Sequence, residues 1–218
     1  LTVNEQEDYA YRTAFANLQV GNKNDAKRLF GILSRSSKKY AEPASYYLAY
    51  IDFQNGEYDT ALPLFRKLKN KSEYRENAAF FLTQGEYLSG NIQNTITEGR
   101  DFISTYPNSN NLPEIYRLLG SSYYRTGDLT NSIASYEQFL KSGKEPFRDD
   151  MYQLGEAYYQ RAQYTHAIDA LKKVASSTDQ LGQAANLLLG QSYIKINDSI
   201  SRIMQIHSRK MTVSPDVN

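Results

Sequence analysis

LGEAYYQRAQYTHAIDALKKV, residues Leu154–Val174, reads as two helical segments separated by a break. With Met151 just upstream, Leu154, Gly155 and Tyr158 follow at steps that return to one side of a helix turning every 3.6 residues. The trio Ala162–Gln163–Tyr164 interrupts that stripe. Ala167, Leu171 and Val174 then start a second one at steps of four and three. Upstream, Tyr116, Leu119, Gly120 and Tyr123 mark the same first stripe, so the pattern is a repeat rather than a single hairpin.

The break extends the reading to the whole chain. It recurs as GNK at Gly21, GEY at Gly56, GNI at Gly90, GDL at Gly127, AQY at Ala162 and NDS at Asn197, at spacings of 35, 34, 37, 35 and 35. Small residues follow five positions on at Ala26, Ala61, Thr95, Ser132 and Ala167. Large ones come four later at Phe30, Phe65, Tyr136 and Leu171, and apolar ones close the stripe at Leu33, Leu68, Phe102, Phe139 and Val174. First helices are expected over 6–20, 43–55, 75–89, 113–126, 148–161 and 182–196, with partners starting near 24, 59, 93, 130, 165 and 199. Pro43 and Pro113 suit helix starts, where a missing N–H costs nothing, and Asn4 with Glu7 could form a capping box. Nothing reads as a strand. Small residues such as Ala49, Gly120, Gly155 and Gly190 let paired helices approach closely.

A hairpin of about 34 residues with Leu-small-x-x-Tyr in its first helix and small-x-x-x-aromatic in its second resembles the tetratricopeptide repeat. The resemblance implies an all-α, right-handed superhelical solenoid of about six hairpins, near 7–41, 42–75, 76–112, 113–147, 148–182 and 183–218. The chain is expected to form one such domain and to be a stretch of a longer protein. Two units depart from the pattern. In the third, Thr83 takes the small slot, Glu86 the tyrosine slot and Gly99 the aromatic slot, and Gly85 enters the helix; a mid-helix glycine costs about 1 kcal/mol, which predicts a soft point here. In the sixth, Arg202 and Ile206 replace the small and aromatic residues, so 199–218 reads as an atypical cap.

In such a solenoid the first helices line a concave wall. The side chains assigned to it include Tyr11, Phe15, Tyr46, Tyr50, Phe53, Phe80, Tyr87, Arg117, Tyr124, Arg125, Tyr152 and Tyr159. Tyrosine and arginine combine large contact area with hydrogen-bond donors, which suits an extended peptide or an amphipathic helix. The alternative is that these rings pack against adjacent repeats. Arg117 and Arg125, about two turns apart, could bind one acidic group. The family's chaperone-binding members hold a C-terminal carboxylate with inner-wall Lys and Asn; here those slots hold Tyr, Phe, Gln and Ser, so that mode is not expected.

Composition narrows the chemistry. The 218 residues carry 25 basic and 24 acidic side chains, net +1, without the clustered positive charge that nucleic acids demand. There is no Cys and no Trp, but there are 19 Tyr. No disulfide, thiolate metal site or cysteine nucleophile is therefore available. His166 reads as a turn-facing surface residue and His207 has no carboxylate one turn away; Asp149 and Asp150 fit the electrostatics of a helix start. No catalytic constellation, cofactor loop or metal set is expected. The longest apolar runs, Ala78–Leu82 and Leu187–Leu189, fall far short of the ~18 residues of a membrane span. The expected role is non-enzymatic: a scaffold for a protein or peptide, or a module that packs on flanking repeats or forms a homo-oligomer. The stretch Tyr46–Phe65 resembles tetratricopeptide proteins of the bacterial cell envelope, Bacteroidetes especially, which implies a periplasmic or envelope location, the cytoplasm being the alternative.

Overall fold

The computed structural model describes residues 2–70 and 73–211, with 201–211 as backbone only. Its first five turns are built alike. Gly21, Gly56, Gly90 and Gly127 take φ values of 77–82° and Ala162 takes 59°, the left-handed region that ends a helix. In each, the next residue's N–H donates to the carbonyl five positions back: Asn22 to Asn17, Glu57 to Asp52, Asn91 to Glu86, Asp128 to Tyr123 and Gln163 to Tyr158, at 2.8–2.9 Å. The repeated turn motif thus marks one hydrogen-bonded stop signal.

Among the described residues there are eleven helices: α1 (Val3–Gln19), α2 (Lys23–Ser36), α3 (Ala41–Gln54), α4 (Tyr58–Leu68), α5 (Arg75–Leu88), α6 (Ile92–Thr105), α7 (Leu112–Arg125), α8 (Leu129–Lys141), α9 (Arg148–Gln160), α10 (Tyr164–Lys172) and α11 (Gln180–Met211). No strand occurs among them. The chain divides into two compact units, Leu1–Leu118 and Leu119–Asn218. In the first, α1 packs on α2, α2 on α3, α3 on α4, α4 on α5 and α5 on α6, while α3 also touches α5. In the second, α8 packs on α9, α9 on α10, and α11 on both α10 and α9.

The small-to-large rule holds in the cores. Ala14, Ala26, Phe30 and Leu33 share one cluster; Ala49, Ala61, Phe65 and Leu68 share the next. In the second unit Leu154, Ala157, Ala167, Leu171 and Val174 form the cluster with Ala185. A Cβ on Gly120 would lie 2.8 Å from the buried Tyr136 ring, and one on Gly155 2.7 Å from Leu171 Cγ, so only glycine admits the partner helix this closely.

Two expectations are corrected. The α1 cap is Thr2 with Glu5, not Asn4 with Glu7: Glu5 N–H donates to Thr2 Oγ1 and Thr2 N–H donates to Glu5 Oε2, so the helix starts earlier. The turn expected at Asn197 does not form among the described residues: α11 continues through Asn197–Ser199 to Met211, and no left-handed residue is found there. The side chains of Arg202, Ile206 and His207, and all of 212–218, lie outside the described residues.

Candidate functional site

In the first unit, aromatic rings from α1, α3, α5 and the connectors before α3 and α5 form a connected series, joined through the buried Phe30 of α2 and Phe65 of α4. Tyr11 stacks on Tyr40 with centroids 4.3 Å apart, and Tyr46 stacks on Tyr74 at 4.5 Å. Tyr47 is the hub: it lies 5.5 Å from Phe15, 5.3 Å from Phe30 and 6.4 Å from Tyr74. Tyr50 meets Phe81 edge-on at 5.4 Å, and Phe81 reaches Phe80 at 5.3 Å. Such offset and edge-on pairs lock the rings in place without closing off their outer edges.

Of the sequence-assigned residues in this unit, Phe15 is exposed, while Tyr11, Tyr50, Phe80 and Tyr87 are half-buried. Tyr46 and Phe53 are core residues, at 9% and 7% exposure, because Tyr74 covers the first and Phe65 and Phe81 pack on the second. Tyr40, Tyr47, Tyr74 and Phe81 were missed by the wall assignment. Tyr40 and Tyr74 stand one repeat apart at helix starts, a sequence signal that was readable; the central place of Tyr47 was not.

Burial raises the Tyr46 hydroxyl to about 12 and also raises those of Tyr11, Tyr47 and Tyr74. All four remain neutral donors at ordinary pH. Beside Tyr74 opens a cleft of about 630 Å³ lined by Lys39, Glu42, Pro43, Asn70, Glu73 and Arg75, giving the rings a rim of mixed charge. The Lys39 ammonium lies 4.9 Å from the Tyr40 ring centre and 2.8 Å from Asp8 Oδ1. Arg117 donates to both carboxylate oxygens of Glu114, at 2.9 and 2.6 Å, so an incoming acidic group would have to displace that partner.

In the second unit Tyr124 donates its hydroxyl to Glu156 Oε2 at 2.5 Å. Burial first, then Glu156, keeps the Tyr124 phenol protonated well beyond its usual range; Tyr152 shifts the same way for the same causes. Tyr124, Tyr152 and Tyr159 are half-buried and Arg125 is exposed. Tyr159 meets Tyr164 edge-on at 5.6 Å. His166 is exposed, its ring 5.2 Å from that of Tyr158. Asp150 completes a helix start, accepting from the Phe147 N–H at 3.2 Å. Among the described residues no cluster of three or more His, Cys, Asp or Glu could hold a metal ion, and no helix is long and apolar enough to cross a membrane.

Residues 117–185 match the family model of the tetratricopeptide repeat. No curated protein matches the chain. Among solved structures, a crystal structure of MamA superposes with a TM-score of 0.65 at 18% identity, covering 80% of this chain and 92% of that one. MamA from residue 41 to its end, from Desulfovibrio magneticus RS-1, gives 0.65 at 16% identity over 78% and 93%. MamA AMB-1 gives 0.66 at 13% identity over 79% and 92%. At these identities the likeness is one of fold: helical hairpins of the tetratricopeptide type.

Proposed function

We propose that this chain, whose residues 117–185 match tetratricopeptide repeats, is a non-catalytic protein-interaction module that takes a peptide or a helix of a partner on its first-helix aromatic face. The observation that carries this reading is the ring series of the first unit, in which Phe15 and Tyr50 keep open edges while Tyr47 and Phe81 hold them from behind. Rings already locked by neighbours lose little entropy when a ligand arrives, which is how aromatic residues come to dominate interaction surfaces. With a net charge of +1, selection by shape and apolar contact outweighs selection by charge. The same reading extends to Tyr87 in this unit and, in the second, to Tyr124, Arg125, Tyr152 and Tyr159.

The test is selection from a displayed library of random dodecapeptides, followed by affinity measurement on the Phe15→Ala/Tyr50→Ala variant. A tenfold or greater loss with an unchanged helical circular dichroism spectrum supports the reading. Equal binding to both proteins sinks it. A second reading, assembly through the chain's own helices, is favoured by the exposed apolar side chains of α11. The sequence resemblance carries with it a periplasmic or envelope location, which fractionation of the native cells would decide.

A further inference from the structure

The side of α9 that receives α10 carries Gly155, Tyr158 and Tyr159, which meet Leu171, His166 and Tyr164 respectively. One repeat later α11 presents the same side as Gly190, Tyr193 and Ile194, with Leu187 at the place of Tyr152. Among the described residues no second helix lies here, because α11 continues through Asn197 to Met211. A Cβ on Gly190 would find no heavy atom within 4 Å, and Leu187 and Ile194 are 67% and 61% exposed. The opposite side of α11 is satisfied: Ala185, Leu188 and Leu189 join the core of the second unit.

We propose that this open side is covered by the same side of a second copy of the chain, the two α11 helices lying antiparallel about a twofold axis between Gly190 and Gln191. The inference builds on the assembly reading above and is independent of peptide binding at the ring series. Three features select a second copy as the occupant. Wherever this side is covered in the second unit, the cover is an antiparallel helix. The spacing is self-complementary: Leu187 and Ile194 lie equally far from the Gly190–Gln191 midpoint, so each Leu187 falls over the other copy's Ile194, twice, and Gly190 permits close approach at the centre. Charge on α11 is sparse: between Gln180 and Ser201 only Lys195 and Asp198 are ionised, and the antiparallel register sets them opposite Asn186 and Gln183 rather than against like charge, while Lys172 of α10 stands at the margin with its ammonium 5.9 Å from the Tyr193 ring centre. A single helix pair is a small interface, of the size class of weak, transient complexes, so a concentration-dependent association is expected.

The experiment is light scattering on the 218-residue chain from about 5 to 200 µM, with engineered thiols as a register check. The mass should climb from 24.9 kDa towards twice that value. Leu187→Glu with Ile194→Glu should weaken the dimer roughly tenfold or more while leaving the helical spectrum unchanged, since both side chains are exposed and the dimer would bury unpaired carboxylates. Because the chain has no cysteine, Gln191→Cys supplies one thiol beside the axis and should form a disulfide-linked dimer under mild oxidation. Gln183→Cys, about 22 Å along α11 from its own mate, should not. A monomer throughout the range, a dimer indifferent to the paired glutamates, or equally fast linking through both thiols would each overturn the proposal. Residues 199–211 folding back to fill the slot within one chain would appear as the first of these.

Discussion

Glycine occupies the same slot of successive first helices in opposite surroundings. At Gly120 an added methyl would meet the Tyr136 ring at 2.8–2.9 Å, and that ring is fully buried with its hydroxyl donating to Gln153 Oε1 at 2.7 Å. Gly120→Ala is therefore expected to cost about 1–3 kcal/mol. Gly190 meets nothing, so Gly190→Ala, measured in dilute solution, should gain about 0.5–1 kcal/mol through helix propensity alone. Urea midpoints moving in opposite directions would check the pair. Ala162 is a third case: it takes the left-handed conformation that the other four turns give to glycine, so Ala162→Gly should raise the urea midpoint by an amount equivalent to about 1 kcal/mol. The turn motif made all five positions legible in the sequence. Which glycines were packing requirements and which were spare was not, because that depends on how closely a second helix approaches.

At three of the small slots, Ala49, Thr83 and Gly155, the residue three places on acts as a fastener between neighbouring pairs. Asp52 on α3 takes Lys27 of α2 at 2.8 Å, Glu86 on α5 takes Arg66 of α4 at 2.5 Å, and Tyr158 on α9 donates to Glu137 of α8 at 2.8 Å. In each case a first helix is tied to the second helix of the preceding pair. This accounts for Glu86 in a tyrosine slot: its carboxylate is 1% exposed and also accepts from Asn91 and Asn94 at 2.9 and 3.2 Å. The expected soft point in the third pair thus has its own reinforcement, to which the ion pair of Lys69, the residue that ends α4, with Glu98 of α6 adds. Glu86→Ala would leave three donors without their acceptor and should lower stability by about 1–3 kcal/mol, discounted for the half-exposed Arg66. Amide hydrogen exchange should rise first in α5 and α6. Sequence reasoning identified Glu86 as a departure from the repeat; only the fold supplies the cation that makes the departure workable.

At the scale of the whole molecule, the abundance of tyrosine becomes a pH dependence. Burial raises Tyr46 to about 12 and moves Tyr11, Tyr47, Tyr74, Tyr124, Tyr152 and Tyr158 upward as well, with Glu156 and Glu137 adding to the shifts of the last three. A phenol whose folded pKa exceeds the ordinary 10 contributes stability that is complete below pH 10 and is lost as pH rises through the folded value. Unfolding is accordingly expected between about pH 10 and 12, with tyrosinate absorbance and helical ellipticity changing together. Tyrosinate appearing well ahead of helix loss would show that the rings are not held by the fold. The helical class, the lengths of the first five pairs and their stop signals were determined by the sequence itself, because they rest on local turns and on a period of 3.6. What only the tertiary structure decided was long-range. Tyr46 and Phe53 are enclosed while Phe15 keeps an open edge, since that depends on rings delivered from other helices. Among the described residues α11 continues through Asn197 to Met211 as one long helix, since Asn197 supplies no left-handed stop and no second helix lies over Gly190.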